Sequence, residues 1–275
     1  MSETTLNATV VARHDYNEAL AVFRIRPDSG TIPHFESGQF ATIGLPREET
    51  TEPITLKDGR VIPSKQRVRM IRRAYSIASS PKDREGLDLY IVLVETGKLT
   101  PALFKLQVGS RLWLDDQIKG EFTLESVPPG NNLVAVSTGT GLAPFVSMMR
   151  TFRGTGFWKR FIIVNGCRYA RDLGYVDEFD RVCKEDPTVS FYPIVTREPE
   201  DSPYKGLRGR VTKLVDDEHW VPTTGLRLNP ADTHVLLCGN PDMINDIQAA
   251  LEKKGFTLYD KKSNPTGNIH FERYW

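Results

Sequence analysis

The turn Gly139-Thr140-Gly141-Leu142-Ala143-Pro144 constrains this chain more than any other segment. An apolar run, residues 133–136, leads into it and a helical pattern, residues 142–151, leads out. A strand apolar at successive positions must be covered on both faces, and the helices of βαβ units do this. The pattern then recurs: apolar runs at 161–164, 189–195 and 233–238, with helical stretches at 172–185 and 241–254. The second half is therefore expected to be a parallel α/β sheet. At the turn itself, glycines let a ligand approach the backbone, and a helix N-terminus offers free N–H groups and partial positive charge to a phosphate. Thr138 and Thr140 add hydroxyls. Pro144 stands where the full dinucleotide fingerprint has its third glycine, so an ordinary strand–helix turn stays open.

The first half reads differently. Residues 9–12, 20–25, 39–43, 74–78 and 87–94 are short runs rich in β-branched and aromatic residues. Clusters such as Arg26-Pro27-Asp28-Ser29-Gly30 and Ser80-Pro81-Lys82-Asp83 punctuate them. This spacing predicts a small antiparallel barrel. Val127-Pro128-Pro129-Gly130 reads as a stiff linker. A length of 275 residues accommodates two ordinary domains, with an expected division into residues 1–128 and 129–275. Residues 47–71 are long for a connection, and Lys57-Asp58-Gly59-Arg60 within them has the form of a hairpin turn.

Composition narrows the partners. A net charge of +1 gives no bulk field to draw in nucleic acid or a membrane surface, so charge recognition must be local. No apolar run approaches the ~20 residues of a membrane span, so no membrane insertion is expected. Met1-Ser2-Glu3-Thr4-Thr5 lacks the charged and apolar segments of a signal peptide. Cys167, Cys183 and Cys238 are odd in number and widely spaced, which argues against a disulfide framework and fits a reducing cytoplasm. Without clustered cysteines, and with five histidines at no ligand spacing, neither an iron–sulfur centre nor a metal is expected.

Further motifs carry chemistry. In Arg73-Ala74-Tyr75-Ser76, strand alternation puts Arg73 and Tyr75 on one face and Ala74 and Ser76 on the other. Tyr75 can lie against a flat heterocycle, and Arg73 can fork onto a phosphate, although a surface strand with one aromatic and one cation reads the same way. In Gly97-Lys98-Leu99-Thr100-Pro101, Thr100 suits an N-cap and Pro101 the first turn of a short helix at 102–106, either a second anion site or a plain capped helix. Cys238-Gly239-Asn240-Pro241 ends a buried strand, where ligands of open α/β sheets bind; Cys238 also suits a small buried hydrophobe. The second half carries Arg168, Arg171, Arg197, Arg208 and Arg210; Arg168 and Arg197 each follow an apolar run, where arginine accommodates a 2′-phosphate, and solvated surface charge is the alternative for each of the five. Phe271-Glu272-Arg273-Tyr274-Trp275 places two aromatics where they could plug a groove or stack on a ligand.

In this order and spacing the motifs resemble the ferredoxin–NADP reductase superfamily, nearest to its bacterial ferredoxin/flavodoxin–NADP reductase branch. The resemblance covers nearly the whole chain. It implies an antiparallel β-barrel that binds FAD, followed by a Rossmann-like parallel α/β domain that binds NADP(H). It implies that Tyr75 stacks on the flavin, Arg73 holds its pyrophosphate, and Ala74 contributes backbone only. Gly97, Lys98, Leu99 and Thr100 would bind the FAD phosphates, and Tyr274 and Trp275 would cover the other flavin face and the adenine. Thr138, Gly139, Thr140, Gly141, Cys238, Gly239, Asn240 and Pro241 would hold NADP, with Arg168, Arg197 and Arg210 on its 2′-phosphate. Ser76, Cys238 and Glu272 would shape the reacting contact. It implies an FAD-dependent reductase that passes electrons between NADPH and a ferredoxin or flavodoxin, with an NADH-dependent reductase of an oxygenase system or a non-catalytic flavoprotein module of a larger complex as the alternatives, and the expected state is a monomer. The 47–71 stretch is longer than this branch leads one to expect.

Overall fold

The computed structural model describes residues 5–50, 52–58, 60–64 and 66–274. The first half supplies β1 (Ala8–Asn17), β2 (Leu20–Pro27), β3 (Phe40–Thr50), β4 (Ile54–Thr55), β5 (Val61–Ile62), β6 (Gln66–Ser76), β7 (Leu87–Val92), the short helix α1 (Thr100–Leu103) and β8 (Arg111–Leu114). Six of these strands form one antiparallel sheet in the order β6-β3-β8-β1-β2-β7. It curls into a barrel: an Ile77–Leu89 bridge and a bond from Ala78 N–H to the Asp88 carbonyl (2.8 Å) join its two edges. Inward residues Val10, Phe23, Ile25, Ile43, Leu45, Ile71, Leu89 and Leu112 pack the interior.

The 47–71 stretch is largely strand, not loop. β3 and β6 run in unbroken register from Phe40↔Ser76 to Thr50↔Gln66, so the hairpin outruns the barrel as an arm. The expected tip turn is present: β4 pairs β5, Leu56 N–H donates to the Arg60 carbonyl (2.8 Å), and the Asp58 carboxylate takes Arg60 N–H (3.1 Å). Gly59 lies outside the described residues.

The second half adds β9 (Asn131–Thr138), α2 (Ala143–Phe152), β10 (Trp158–Cys167), α3 (Val176–Glu185), β11 (Val189–Val195), β12 (Leu207–Arg208), α4 (Val211–Leu214), α5 (Asp217–Thr224), β13 (Thr233–Gly239), α6 (Pro241–Glu252) and β14 (Ile269–Arg273). Its sheet is wholly parallel, in the order β12-β11-β10-β9-β13-β14. On β9, Leu133 and Ala135 face α2 and α3, while Val134 and Val136 face α5 and α6, which makes three layers. Strand order reverses between β9 and β13, and ligands of such sheets bind beyond that point.

Two helices depart from expectation. Leu142 closes a 3₁₀ turn, Gly139–Leu142, and α2 starts at Ala143 because Pro144 at its N-terminus has no N–H to give the preceding turn. The predicted helix at 172–185 is split into a 3₁₀ turn, Ala170–Asp172, and α3. Tyr175 between them is left-handed (φ 62°), and its buried ring meets Tyr90 at 5.0 Å and Tyr16 at 5.7 Å. Packing outweighs local helix preference there. Val127 of the predicted linker is 2% exposed and packs with Phe122, Leu124 and Phe145, so the two halves share one core cluster at this seam.

Candidate functional site

A cavity of about 430 Å³ opens where the barrel meets the C-terminal ends of the parallel strands. Arg73, Ala74, Tyr75 and Ser76 all line it, so both faces of β6 reach the cavity at this end. Tyr75 packs against the barrel core and shows part of its ring; burial pushes its hydroxyl up to about 12, which keeps it neutral. Ser76 is buried, and Arg73 is exposed with its guanidinium bonded to the Arg72 carbonyl (2.7 Å).

Gly97, Lys98, Leu99 and Thr100 form the adjoining wall. Thr100 is not the N-cap that the sequence suggested. Leu99 holds that position, and the Thr100 hydroxyl accepts Val94 N–H and donates to the Val94 carbonyl, both at 3.0 Å. One helical position further in, its side chain reaches back across the turn and closes the 94–100 loop. The helix it starts spans Thr100–Leu103, not 102–106. Beside this wall lies a second basin of about 420 Å³, lined by Arg69, Met70, Ile71, Arg72, Arg73 and Lys98. Four of its six lining residues are cations, and Arg73 and Lys98 belong to both cavities. An apolar slot leading into a cationic annex suits a ligand with flat rings and a phosphate chain.

The opposite wall comes from the parallel sheet. β13 and β14 register Cys238 opposite Glu272. Ser76 Oγ donates to Glu272 Oε2 (3.1 Å), and Cys238 Sγ lies 4.0 Å from the same oxygen. Ser76, Cys238 and Glu272, read as three separate motifs in the sequence, thus meet at one carboxylate. Burial pushes the Glu272 carboxyl up to about 7, against the pull of the Ser76 hydroxyl. Burial, then the Glu272 charge, hold the Cys238 thiol well above its usual range, so it is a neutral group and no thiolate nucleophile. The Tyr274 hydroxyl lies 3.1 Å from both Ser76 Oγ and the Thr140 carbonyl. Tyr274 therefore touches the strand motif and the glycine turn together. Trp275 lies outside the described residues.

The glycine turn sits at the sheet's switch point. A Cβ on Gly141 would come within 2.5 Å of the Cys238 carbonyl, so the turn packs directly on the end of β13. Gly139 is the reverse: it has φ +53° and nothing within 4 Å of where a Cβ would project, which leaves room for a ligand. Thr138 Oγ1 accepts Asn240 N–H (3.0 Å), and Asn240 Oδ1 caps α6 by accepting Asp242 N–H (2.7 Å). Gly239 and Pro241 flank that junction, and the Gly239 carbonyl receives Tyr274 N–H (3.4 Å). Arg168, Arg197 and Arg210 follow β10, β11 and β12, all exposed, with no ion pair among the described residues. Arg197 N–H donates to the Arg168 carbonyl (2.8 Å), which places these two side by side. Arg208 differs: its guanidinium binds the carbonyls of Glu198, Pro199 and Tyr204 and builds a loop.

Sequence reasoning missed Phe40, Tyr90, Val92 and Val94, which also line the cavity. Phe40, Tyr90 and Val92 are ordinary strand residues and Val94 lies in the loop after β7, and only the closure of the barrel brings them to the site.

Comparison with known proteins agrees with this architecture. Residues 36–121 match the oxidoreductase FAD-binding domain, and residues 135–249 match the oxidoreductase NAD-binding domain. The chain is 30% identical to the flavodoxin/ferredoxin–NADP reductase of Escherichia coli over 93% of each chain. It is also 30% identical to the ferredoxin–NADP reductase of Pseudomonas aeruginosa, over 96% of this chain and 95% of that one. A ferredoxin NADP+ reductase from Neisseria gonorrhoeae, solved with bound FAD and NADP, shares the fold with a TM-score of 0.81 at 22% identity, each chain covered in full.

Proposed function

The chain belongs to the flavodoxin/ferredoxin–NADP reductase family, and from that membership we propose that it passes electrons between NADPH and a ferredoxin or flavodoxin by way of FAD. The observation that carries this reading is the bond between Ser76 of the barrel and Glu272 of the parallel sheet, 196 residues apart, inside one cavity. It brings a flavin-side wall and a nucleotide-side wall to the same point.

The donor set fits FAD. Tyr75 offers a neutral ring as a platform, Arg73 and Lys98 stand between the apolar slot and the cationic basin, and the 97–100 loop closes the side. FAD held there would supply the chemistry that links two-electron exchange with the nucleotide to one-electron exchange with the carrier. Ser76 and Glu272 would hold a proton beside the flavin: the carboxyl, pushed up to about 7 by burial, could donate or accept near neutral pH. Cys238, neutral and buried, would pack beneath the nicotinamide without reacting. The turn 138–141 and the stitched end of β13 receive the nucleotide phosphates, and Arg168, Arg197 and Arg210 select the 2′-phosphate. Tyr274, bonded to Ser76 and to the Thr140 carbonyl in the cavity wall, would cover the place of the nicotinamide ring, exclude water there and have to move aside in turnover. On this reading residues 1–128 form the FAD unit and 129–275 the NADP unit, meeting at the packed seam around Val127.

The test is the visible spectrum of the purified protein before and after anaerobic addition of NADPH. We expect a yellow protein with about one FAD per chain, bleached by NADPH. Colourless protein that FAD does not reconstitute, or a bound flavin that NADPH leaves oxidised, refutes the proposal.

A further inference from the structure

The nucleotide turn runs directly into α2, so whatever fixes α2 fixes the turn. One face of α2 carries Ser147, Arg150 and Thr151, spaced to lie together on a helix. That face is bonded to the segment which begins two residues after Ser76. Ser147 Oγ donates to the Ser79 carbonyl (2.7 Å), with both side chains fully buried. Arg150 Nη1 donates to the Ala78 carbonyl (3.1 Å) and to Asp88 Oδ2 of β7 (3.0 Å). Thr151 Oγ1 spends its hydrogen on the Ser147 carbonyl (2.6 Å), so at its 3.0 Å contact with Ser80 Oγ the serine donates. Lys82 Nζ reaches the Thr151 carbonyl (2.7 Å).

Arg150 is the hub of this zipper. Its Nε and Nη2 fork onto both oxygens of Glu178 on α3 (2.8 and 2.7 Å), and its guanidinium stands 5.4 Å from the Tyr175 ring centroid. Asp88 is itself gripped by Arg24 through both oxygens (2.6 and 3.0 Å). The apolar contacts at this seam, such as Phe122 with Phe145 at 6.0 Å, would tolerate sliding. Charge-assisted, bidentate bonds would not, because they are short and directional. No sequence motif marks Arg150, and it lines neither cavity.

We infer that Arg150 is a positioning residue which, with Ser147 and Thr151, sets the spacing between the glycine turn and the Arg73–Ser76 strand, and thereby the approach of the nicotinamide to the flavin. The inference rests on the reading that both ligands meet in the main cavity.

The test compares flavin-loaded wild type with Arg150→Met, which keeps the bulk and removes every bond, and with Arg150→Lys. Three quantities are read: the dissociation constant for NADP+, the limiting rate of flavin reduction by NADPH in stopped flow, and the long-wavelength charge-transfer band that reports ring contact. A displacement of ~1 Å costs up to ~100-fold in rate. We expect Arg150→Met to lose ~10- to 100-fold in limiting rate and most of the charge-transfer band, with NADP+ affinity within ~3-fold of wild type. Lys restores a cation toward Glu178 but not the fork, and should recover only part of the rate. An unchanged rate and band in Arg150→Met, whatever its melting temperature, overturns the inference. So does an affinity loss equal to the rate loss, which would make Arg150 a binding residue. Should Arg150→Met not accumulate with flavin, Ser147→Ala/Thr151→Val carries the test: a smaller fall of the same pattern supports the clamp and an unchanged rate rejects it. A wild-type protein whose flavin NADPH does not reduce instead overturns the functional proposal itself, and this inference with it.

Discussion

Glu272 is poised by two opposed effects, burial raising its pKa and the Ser76 hydroxyl lowering it, and burial wins. Its pKa is raised from 4.5 to about 7, so the folded state holds this proton more tightly than the unfolded chain. That stabilisation is complete below about 4.5 and is lost as pH rises through about 7. The limiting rate of flavin reduction by NADPH should therefore titrate with a midpoint near 7, and Glu272→Gln should flatten the profile across that range. A profile that keeps its midpoint in the glutamine variant would assign the titration elsewhere. A second prediction concerns Arg197, exposed beside Arg168 and without an ion pair among the described residues. A charge-assisted hydrogen bond contributes ~1.5–3 kcal/mol, or roughly 10- to 100-fold in affinity. Arg197→Ala should raise the KM for NADPH on that scale and leave the KM for NADH nearly unchanged. Steady-state kinetics with both nucleotides checks this.

Among the elements, β13 and β14 carry a second titratable pair, distant in register from the Cys238–Glu272 end. His234 Nδ1 and His270 Nε2 are 3.1 Å apart, a contact that needs one proton between them. His270 also meets Ser126 Oγ at 3.5 Å and stacks on Tyr259 at 4.7 Å. Burial, then His234, depress His270 from 6.5 to about 4. The folded state thus resists protonation, and this contribution to stability is present above 6.5 and lost as pH falls toward about 4. Glu272 acts in the opposite sense over part of that window, so the clean comparison uses a Glu272→Gln background. There, urea midpoints should drop between pH ~7 and ~5, and His270→Phe should lessen the drop. The sequence shows both histidines only as lacking ligand spacing and gives no sign of their pairing, because 234 and 270 are neighbours only through parallel pairing. The same reason separates what was legible from what was not. Apolar runs and glycine turns announce themselves locally, so the βαβ pattern, the barrel strands and the cavity's motif residues could be named in advance. Thr100 could not be assigned correctly, since one position decides whether a threonine caps a helix or closes a loop. Tyr175 broke a plausible helix for the sake of a ring packed 5.0 Å from Tyr90. The arm went unrecognised because β3 and β6 beyond the barrel are too polar and charged to alternate as half-buried strands do.

For the whole molecule, a net charge of +1 leaves long-range attraction to local features. The arm provides one: Arg67, Arg69 and Arg72 are exposed along β6 beside Lys98, and Arg72 rests on the Trp113 ring at 4.0 Å. An acidic carrier docking there would approach the cavity from its cationic side. Acceptor reduction should then slow with salt as the Debye length contracts from ~10 Å at ~0.1 M to ~3 Å at ~1 M. Arg67→Glu/Arg69→Glu should cut kcat/KM for the acceptor ~10-fold at low salt and much less at high salt, with reduction of a neutral dye unaffected. Salt-independent acceptor kinetics would place docking elsewhere.

The Ser76–Glu272 bond closes a loop of 196 residues. Contacts of such separation form late, because the chain must be ordered before they return anything. Barrel and parallel sheet can each collapse on contacts of their own, and neither holds a complete site alone. In a refolding protein, flavin capture should recover first and nucleotide-driven turnover later, after the halves dock. The lag between the two would time the docking event directly, so the enzyme carries its own clock for the last stage of its folding.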